Sequence, residues 1–250
     1  MKTNVKYFCI FVLILFLISC ASGKKTEKKE IALSMEEHFQ MAFSAAERGN
    51  LEEAVSEYKK VLKMSPKHSR AHLNLGMVYG RQGKWKQEIS EYKKAAEIDP
   101  NFGEAYFNLG VAYNERGELN EAMVQYQKAL RINPNYIEAH NNLGVIYLKR
   151  ERLDEALSEY QKAIEIKPAY AKGHFNLGYV YRKKGMLEEA IHSFQRALEI
   201  HPKFGEAHYN LALIYYEKQE FKLAIQHFDQ AGKLGVVVDP KFLDRLKPYR

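Results

Sequence analysis

Cysteine is nearly absent: the 250 residues contain two, Cys9 and Cys20, and none after them. From residue 21 onward the chain therefore has no means of forming a disulfide or a thiolate metal site. Tryptophan occurs once, as Trp85. Apolar runs are short, and the longest, Tyr7 to Ile18, falls below the span of a bilayer. Charge of one sign is not gathered anywhere. Lys and Arg exceed Asp and Glu by 38 to 31, but the two signs are interspersed, which argues against a nucleic-acid partner. No HExxH, phosphate loop, dinucleotide fingerprint or nucleophile elbow occurs, so no catalytic residue, cofactor or metal site is expected. Paired carboxylates such as Glu52-Glu53 and Glu188-Glu189 open predicted helices, where negative charge suits the helix dipole.

What is present is a period. Asn74-Leu75-Gly76 returns as Asn108-Leu109-Gly110, Asn142-Leu143-Gly144, Asn176-Leu177-Gly178 and Asn210-Leu211-Ala212, 34 residues apart each time. Six units run without insertion: 35–68, 69–102, 103–136, 137–170, 171–204 and 205–238. Small residues recur at the eighth and twentieth positions, and aromatics from Tyr58 to Phe228 at the twenty-fourth. Spacings of three and four put these on one helical face. Pro66, Pro100, Pro134, Pro168 and Pro202 close units, while Gly49, Gly83, Gly117 and Gly185 suit left-handed helix ends within them. A fixed period of this length means a copied and stacked helix pair. An all-α solenoid follows, in which each repeat buries its apolar face against its neighbours.

The pattern resembles the tetratricopeptide repeat, over 34–238. Ser34-Met35-Glu36-Glu37 fits a capping box at its start, and Asp239-Pro240 opens a C-terminal capping helix and tail over 239–250. Three departures stand out. Glu151 and Gln219 replace the turn glycine and predict less comfortable turns. Glu88 replaces the small twentieth residue and is expected to be tolerated by helix tilting, and Trp85 aligns with Leu51 and Leu119 and reads as core.

The first residues carry a separate signal. Lys2 and Lys6 precede an apolar run, and Leu17-Ile18-Ser19-Cys20 resembles the bacterial lipobox. The resemblance implies a lipoprotein signal peptide over 1–19, acylation of Cys20 (palmitate among the chains), and a charged tether over 20–33. Loss of Lys2 and Lys6 would bring the formal charge from +7 to +5. Ala21 is not the Asp that commonly retains such lipoproteins at the inner membrane, so a lipid-anchored place on the periplasmic face of the outer membrane is expected. The tether reaches at most roughly 40 Å.

Positions two, five, six, nine and thirteen of each first helix form a second face. In the tetratricopeptide family that face lines a concave groove. The candidate groove residues are Asn74, Asn108, Asn142, Asn176 and Asn210, with Phe107, Phe175, Tyr179 and Tyr209 beside them. An amide offers donor and acceptor to an extended peptide backbone, and the row resembles the asparagine ladder of the O-linked N-acetylglucosamine transferases, without their catalytic domain. The alternative is that these amides bond neighbouring repeats and the apolar side chains stiffen the stack. The histidines at position four (His38, His72, His140, His174, His208) are expected as packing residues. The resemblances imply a membrane-anchored, non-enzymatic scaffold that binds a protein or peptide in assembly of an envelope complex. Alternatives are a pilotin-like lipoprotein for type IV pilus secretins and an adaptor for glycan or a peptidoglycan hydrolase. Partner identity and oligomeric state are left open.

Overall fold

A computed structural model describes residues 33–250. The signal segment, Cys20 and the tether up to residue 32 lie outside the described residues. Thirteen α-helices follow, with no strand among the described residues. They are α1 Met35–Glu47, α2 Leu51–Met64, α3 Ser69–Arg81, α4 Trp85–Ile98, α5 Gly103–Glu115, α6 Leu119–Ile132, α7 Ile137–Lys149, α8 Leu153–Ile166, α9 Ala171–Lys183, α10 Leu187–Ile200, α11 Gly205–Glu217, α12 Phe221–Lys233 and α13 Pro240–Leu246. Every first helix opens on the first residue of its repeat and every second helix on the seventeenth. The chain is thus a solenoid of six helix pairs. None of the helices is long and apolar enough to cross a membrane.

The packing explains the small residues. Gly144 lies so close to the second helix that a Cβ there would fall 2.6 Å from the Tyr160 ring, and Gly76 stands in the same way to Tyr92. Ala54, Ala122, Ala156, Ala190 and Ala224 are wholly buried opposite. The core runs through the stack because Leu75, Leu109, Leu143, Leu177 and Leu211 are also buried. Burial of such side chains contributes about 1.5–3 kcal/mol each.

The two ends of the stack are finished differently. Repeat 1 has no predecessor, and its outward positions hold Glu37 and Ser44 where later repeats hold buried Ala71 and Val78. That polar outer face suits a terminal repeat. At the other end α13 covers the last pair: Asp239 caps it by accepting from the Lys241 N–H at 2.9 Å, and Leu246 is buried. Phe242 stacks on Phe228 at 5.5 Å, and Tyr249 stacks on Phe221 at 4.0 Å.

The turns adopt the left-handed backbone the glycines predict, with φ of 81°, 70°, 76° and 76° at Gly49, Gly83, Gly117 and Gly185. Glu151 and Gln219 are forced into the same region, at φ 58° and 61°. A side chain there costs about 1–2 kcal/mol.

One sequence expectation is corrected. Trp85 is not core: it is 41% exposed. A regular strap explains it. Position fourteen of one repeat bonds position eighteen of the repeat before: Gln82 to Glu52 at 2.9 Å, Arg150 to Asn120 at 2.5 Å, Lys184 to Asp154, and Lys218 to Glu188 at 2.6 Å. Between repeats 2 and 3 the strap would join Arg116 to Lys86, two cations. Arg116 instead lies over the Trp85 ring, 3.5 Å from its centroid, and pairs with Glu118 at 2.7 Å. A ring wider than leucine gives the displaced guanidinium a cation–π partner at the edge of the stack.

Glu88 is accommodated in a specific vacancy. Its carboxylate fills the space beside Gly80, where a Cβ would sit 2.6 Å from Oε1. Burial raises its pKa, the charge of Glu115 adds to this, and a hydrogen bond from Tyr92 opposes it.

Candidate functional site

The histidines carry an arrangement that the sequence reading missed. His72 Nδ1 lies 2.5 Å from Glu91, while His72 Nε2 lies 3.0 Å from the Pro66 carbonyl. His140 repeats this with Glu159 at 2.6 Å and Pro134 at 2.8 Å, and His38 pairs with Glu57 at 2.5 Å. A lysine three residues after each glutamate holds the second carboxylate oxygen: Lys60, Lys94 and Lys162 at 2.6, 2.7 and 2.7 Å. These are His–Glu–Lys triads around a buried glutamate, closed by a lysine that reaches in from solvent, and not packing rings. Burial pushes Glu57, Glu91 and Glu159 up, but the hydrogen bonds and charges of His and Lys outweigh it and hold all three below the ordinary value. The signal was available as a 19-residue offset. Where the twenty-third position lacks an acid, as in Gln125, Ser193 and His227, no triad forms.

In the last repeat His208 meets His227 across the same slot, Nδ1 to Nδ1 at 2.9 Å. Burial lowers both, and the charge of His208 adds to the shift in His227, which falls to about 4. Among the described residues no three His, Cys, Asp or Glu side chains gather as a metal would require.

The asparagine row is not uniform. The amide of Asn74 donates to the Tyr58 hydroxyl at 3.1 Å, and Asn142 donates to Tyr126 at 3.4 Å. Each bond ties a first helix to the second helix of the repeat before. Burial raises these hydroxyls, to about 12 for Tyr126, so they stay protonated and neutral. Asn108 would meet Tyr92, but Glu88 takes that hydroxyl, and Asn108 has no side-chain hydrogen bond among the described residues. Asn176 turns to the Asn141 carbonyl oxygen at 2.8 Å. Asn210 faces a phenylalanine, Phe194, and instead donates to the Glu206 carbonyl at 2.8 Å and accepts from Arg182 at 3.2 Å.

The aromatic candidates are half-buried, and three of them pack on rings of their own repeat. Phe107 packs on Tyr136 at 4.5 Å and Phe175 on Phe204 at 4.7 Å, residues that end their repeats. Tyr209 meets Phe228 edge-on at 5.7 Å. Tyr179 lines a cleft of about 240 Å³ with Arg182, Lys183 and Glu217. These rings are partly buried and keep an edge on the first-helix face.

That face is most open at its N-terminal end. Phe43 and Met77 are 48% and 44% exposed. They border a cavity of about 80 Å³ floored by Tyr58 and Asn74, with Glu47 and Arg81 at its sides. A larger cleft of about 600 Å³ lies between the second helices of repeats 3 and 4, over His140, Glu159 and Lys162. Its His140, Glu159 and Lys162 are already paired with one another.

Family models described as TPR repeat match residues 45–83, 112–150, 146–185 and 178–219, and others described as tetratricopeptide repeat match 69–102, 91–123 and 205–234. The chain belongs to the tetratricopeptide-repeat family. No curated relative matches it. Among solved structures it is similar to the MamA protein, with 31% identity, TM-score 0.61 and coverage of 69% of this chain and 94% of that one. It is also similar to YrrB, described as a TPR protein with an unusual peptide-binding site, at 25% identity and TM-score 0.62 over 71% of this chain and 92% of that one. Pseudomonas aeruginosa pilF matches at 25% identity and TM-score 0.65 over 72% of this chain and 83% of that one.

Proposed function

We propose that this tetratricopeptide-repeat protein is a non-enzymatic scaffold that captures an extended protein segment on its first-helix face. The observation that carries the reading is the pair of exposed apolar side chains, Phe43 and Met77, over a cavity whose floor is an asparagine–tyrosine pair. Apolar anchors beside amides are the chemistry that holds a peptide by side chain and backbone together. The unengaged amide of Asn108 extends that surface by one repeat. The lipobox-like Leu17-Ile18-Ser19-Cys20 adds membrane anchoring through Cys20 to the proposal, at the periplasmic face of the outer membrane, where the scaffold would serve assembly of an envelope complex.

A second, pilotin-like reading is kept for the overall plan of six repeats behind a lipobox-like segment. Two variants test the proposal. Replacing Asn108, Asn142 and Asn176 with Ala should weaken capture of the native partner while helical content is kept. Undiminished capture would assign the asparagines to the fold alone. Cys20→Ala should release the protein from membranes, and continued tight attachment would defeat the anchoring.

A further inference from the structure

The first-helix face changes charge along its length. Position thirteen ends each first helix and holds Glu47, Arg81, Glu115, Lys149, Lys183 and Glu217. Position twelve is Ala46, Gly80, Asn114, Leu148 and Tyr216, but Arg182 in repeat 5. Repeat 5 alone therefore sets two cations side by side there. Lys149 stands one repeat earlier. It and Lys183 are exposed and make no ion pair among the described residues.

The two ends of the face carry hollows in the same register. Between repeats 1 and 2, positions nine, twelve and thirteen are Phe43, Ala46 and Glu47, which border the apolar cavity with Met77 and Arg81. Between repeats 5 and 6 the same positions are Tyr179, Arg182 and Lys183, and Glu217 closes the cleft of about 240 Å³. One hollow is an apolar seat and the other a cationic one.

Arg182 is not saturated in that cleft. Its Nη1 donates to Asn210 at 3.2 Å, its Nε has no acceptor, and its Nη2 reaches Glu217 only at 3.4 Å. A guanidinium–carboxylate pair ordinarily closes to about 2.7–2.9 Å. Glu217 is half exposed, so its carboxylate can turn to water at little cost. Two cations facing one loosely held acid leave the cleft short of negative charge.

We infer that this cleft seats an acidic side chain, Asp or Glu, of the bound segment. Its carboxylate would accept from Arg182 Nη2 and Lys183 Nζ in place of Glu217. An acidic residue held between repeats 5 and 6, with an apolar one between repeats 1 and 2, fixes which way the segment runs along the face. This rests on the groove reading proposed above and names the chemistry of one of its seats.

The test uses the full-length chain and a randomised library of twelve-residue peptides blocked at both ends, in parallel with the same library carrying free C-termini. Peptides selected from the blocked library should share an Asp or Glu at a fixed place. Changing it to Asn or Gln should weaken binding to the wild type about tenfold, the scale of one charged hydrogen-bonded contact. The penalty should fall to about threefold in Lys183→Gln and below about twofold when Arg182→Gln is added, since the coupling is then lost. Glu217→Gln removes the competing acid and should bind the acidic peptide about threefold tighter than the wild type. Lys183 and Glu217 are exposed, so these two single variants leave the fold intact. Peptides without an acidic preference, a penalty unchanged in Lys183→Gln, or weaker binding by Glu217→Gln would each overturn the inference while leaving the groove reading intact. Selection only from the library with free C-termini would overturn it too, and would assign the cleft to a terminal carboxylate. Failure to select any peptide from either library would overturn the groove reading and the inference with it.

Discussion

Repeats 2 and 6 use the same two slots to opposite effect. In repeat 2 the fourth and twenty-third positions hold His72 and Glu91, a buried pair closed by Lys94. In repeat 6 they hold His208 and His227, two bases that cannot both be charged at this distance. One slot holds a carboxylate that His72 and Lys94 keep below its ordinary pKa, and the other is a neutral pair held neutral by burial. A repeat array thus conserves backbone geometry along its length while the chemistry within one slot changes sign. The consequence is an uneven response to acid along one continuous stack.

The largest expected effect comes from breaking repeat 2. Glu91→Ala removes the shared partner of His72 and Lys94 from a buried place and should destabilise the protein by about 3 kcal/mol in denaturant unfolding. Asp or Glu at 227, with Lys at 230, should by contrast rebuild the triad of repeat 2 in repeat 6, because His208 already occupies the partner position.

Acidification comes next. His227 has a folded-state pKa depressed to about 4 from an ordinary 6.5. Its contribution is complete above pH 6.5 and is lost as pH falls from there toward 4. Glu91 also has a depressed folded-state value, but its unfolded reference is 4.5, so its contribution is complete above that pH and is lost below it. Between pH 6.5 and 4.5 the last repeat should therefore loosen while repeat 2 does not. After discounting for solvent screening the loss is on the order of 1–2 kcal/mol. Hydrogen exchange resolved by helix checks this: α11 and α12 should lose protection at pH 5, and α3 and α4 should not.

The turns give a smaller contrast. Glu151→Gly and Gln219→Gly should each raise stability by about 1 kcal/mol, because the left-handed backbone is already adopted. Gly83→Glu in repeat 2 should lower it by a similar amount in the same thermal melt. The smallest effect concerns the strap. Lys86→Glu restores an acid at position eighteen and gives Arg116 the partner its counterparts have. A gain of about 0.5 kcal/mol is expected, together with loss of any tryptophan fluorescence shift on titrating Arg116→Ala against the parent.

Much of this was legible before any coordinates. Leu75, Gly76 and Tyr79 recur because every repeat must make the same helix contact, so periodicity alone places them. The left-handed turn at Glu151 was legible for the same reason, from the glycines at equivalent places. Trp85 was misplaced because alignment reports the position and not the volume. A ring larger than the leucine it replaces overhangs the edge, and only the Lys86–Arg116 conflict explains what it meets there. The triads join two positions of one repeat, 19 residues apart, a pairing that periodicity from repeat to repeat does not expose. The asparagines show where the sequence runs out. Of five identical residues two keep the tyrosine hydroxyl and three lose it, since Glu88, Asn141 and Phe194 each remove it by a different route.

The central claim is that the first-helix face, and not the second-helix face, receives a protein segment. Its most direct test places a photo-crosslinking residue in living cells at position 108, on the first-helix face, or at position 124, where Val124 is exposed on a second helix. The account predicts a discrete crosslinked partner from position 108 and none from position 124. The reverse pattern, or equal capture from both, would contradict it.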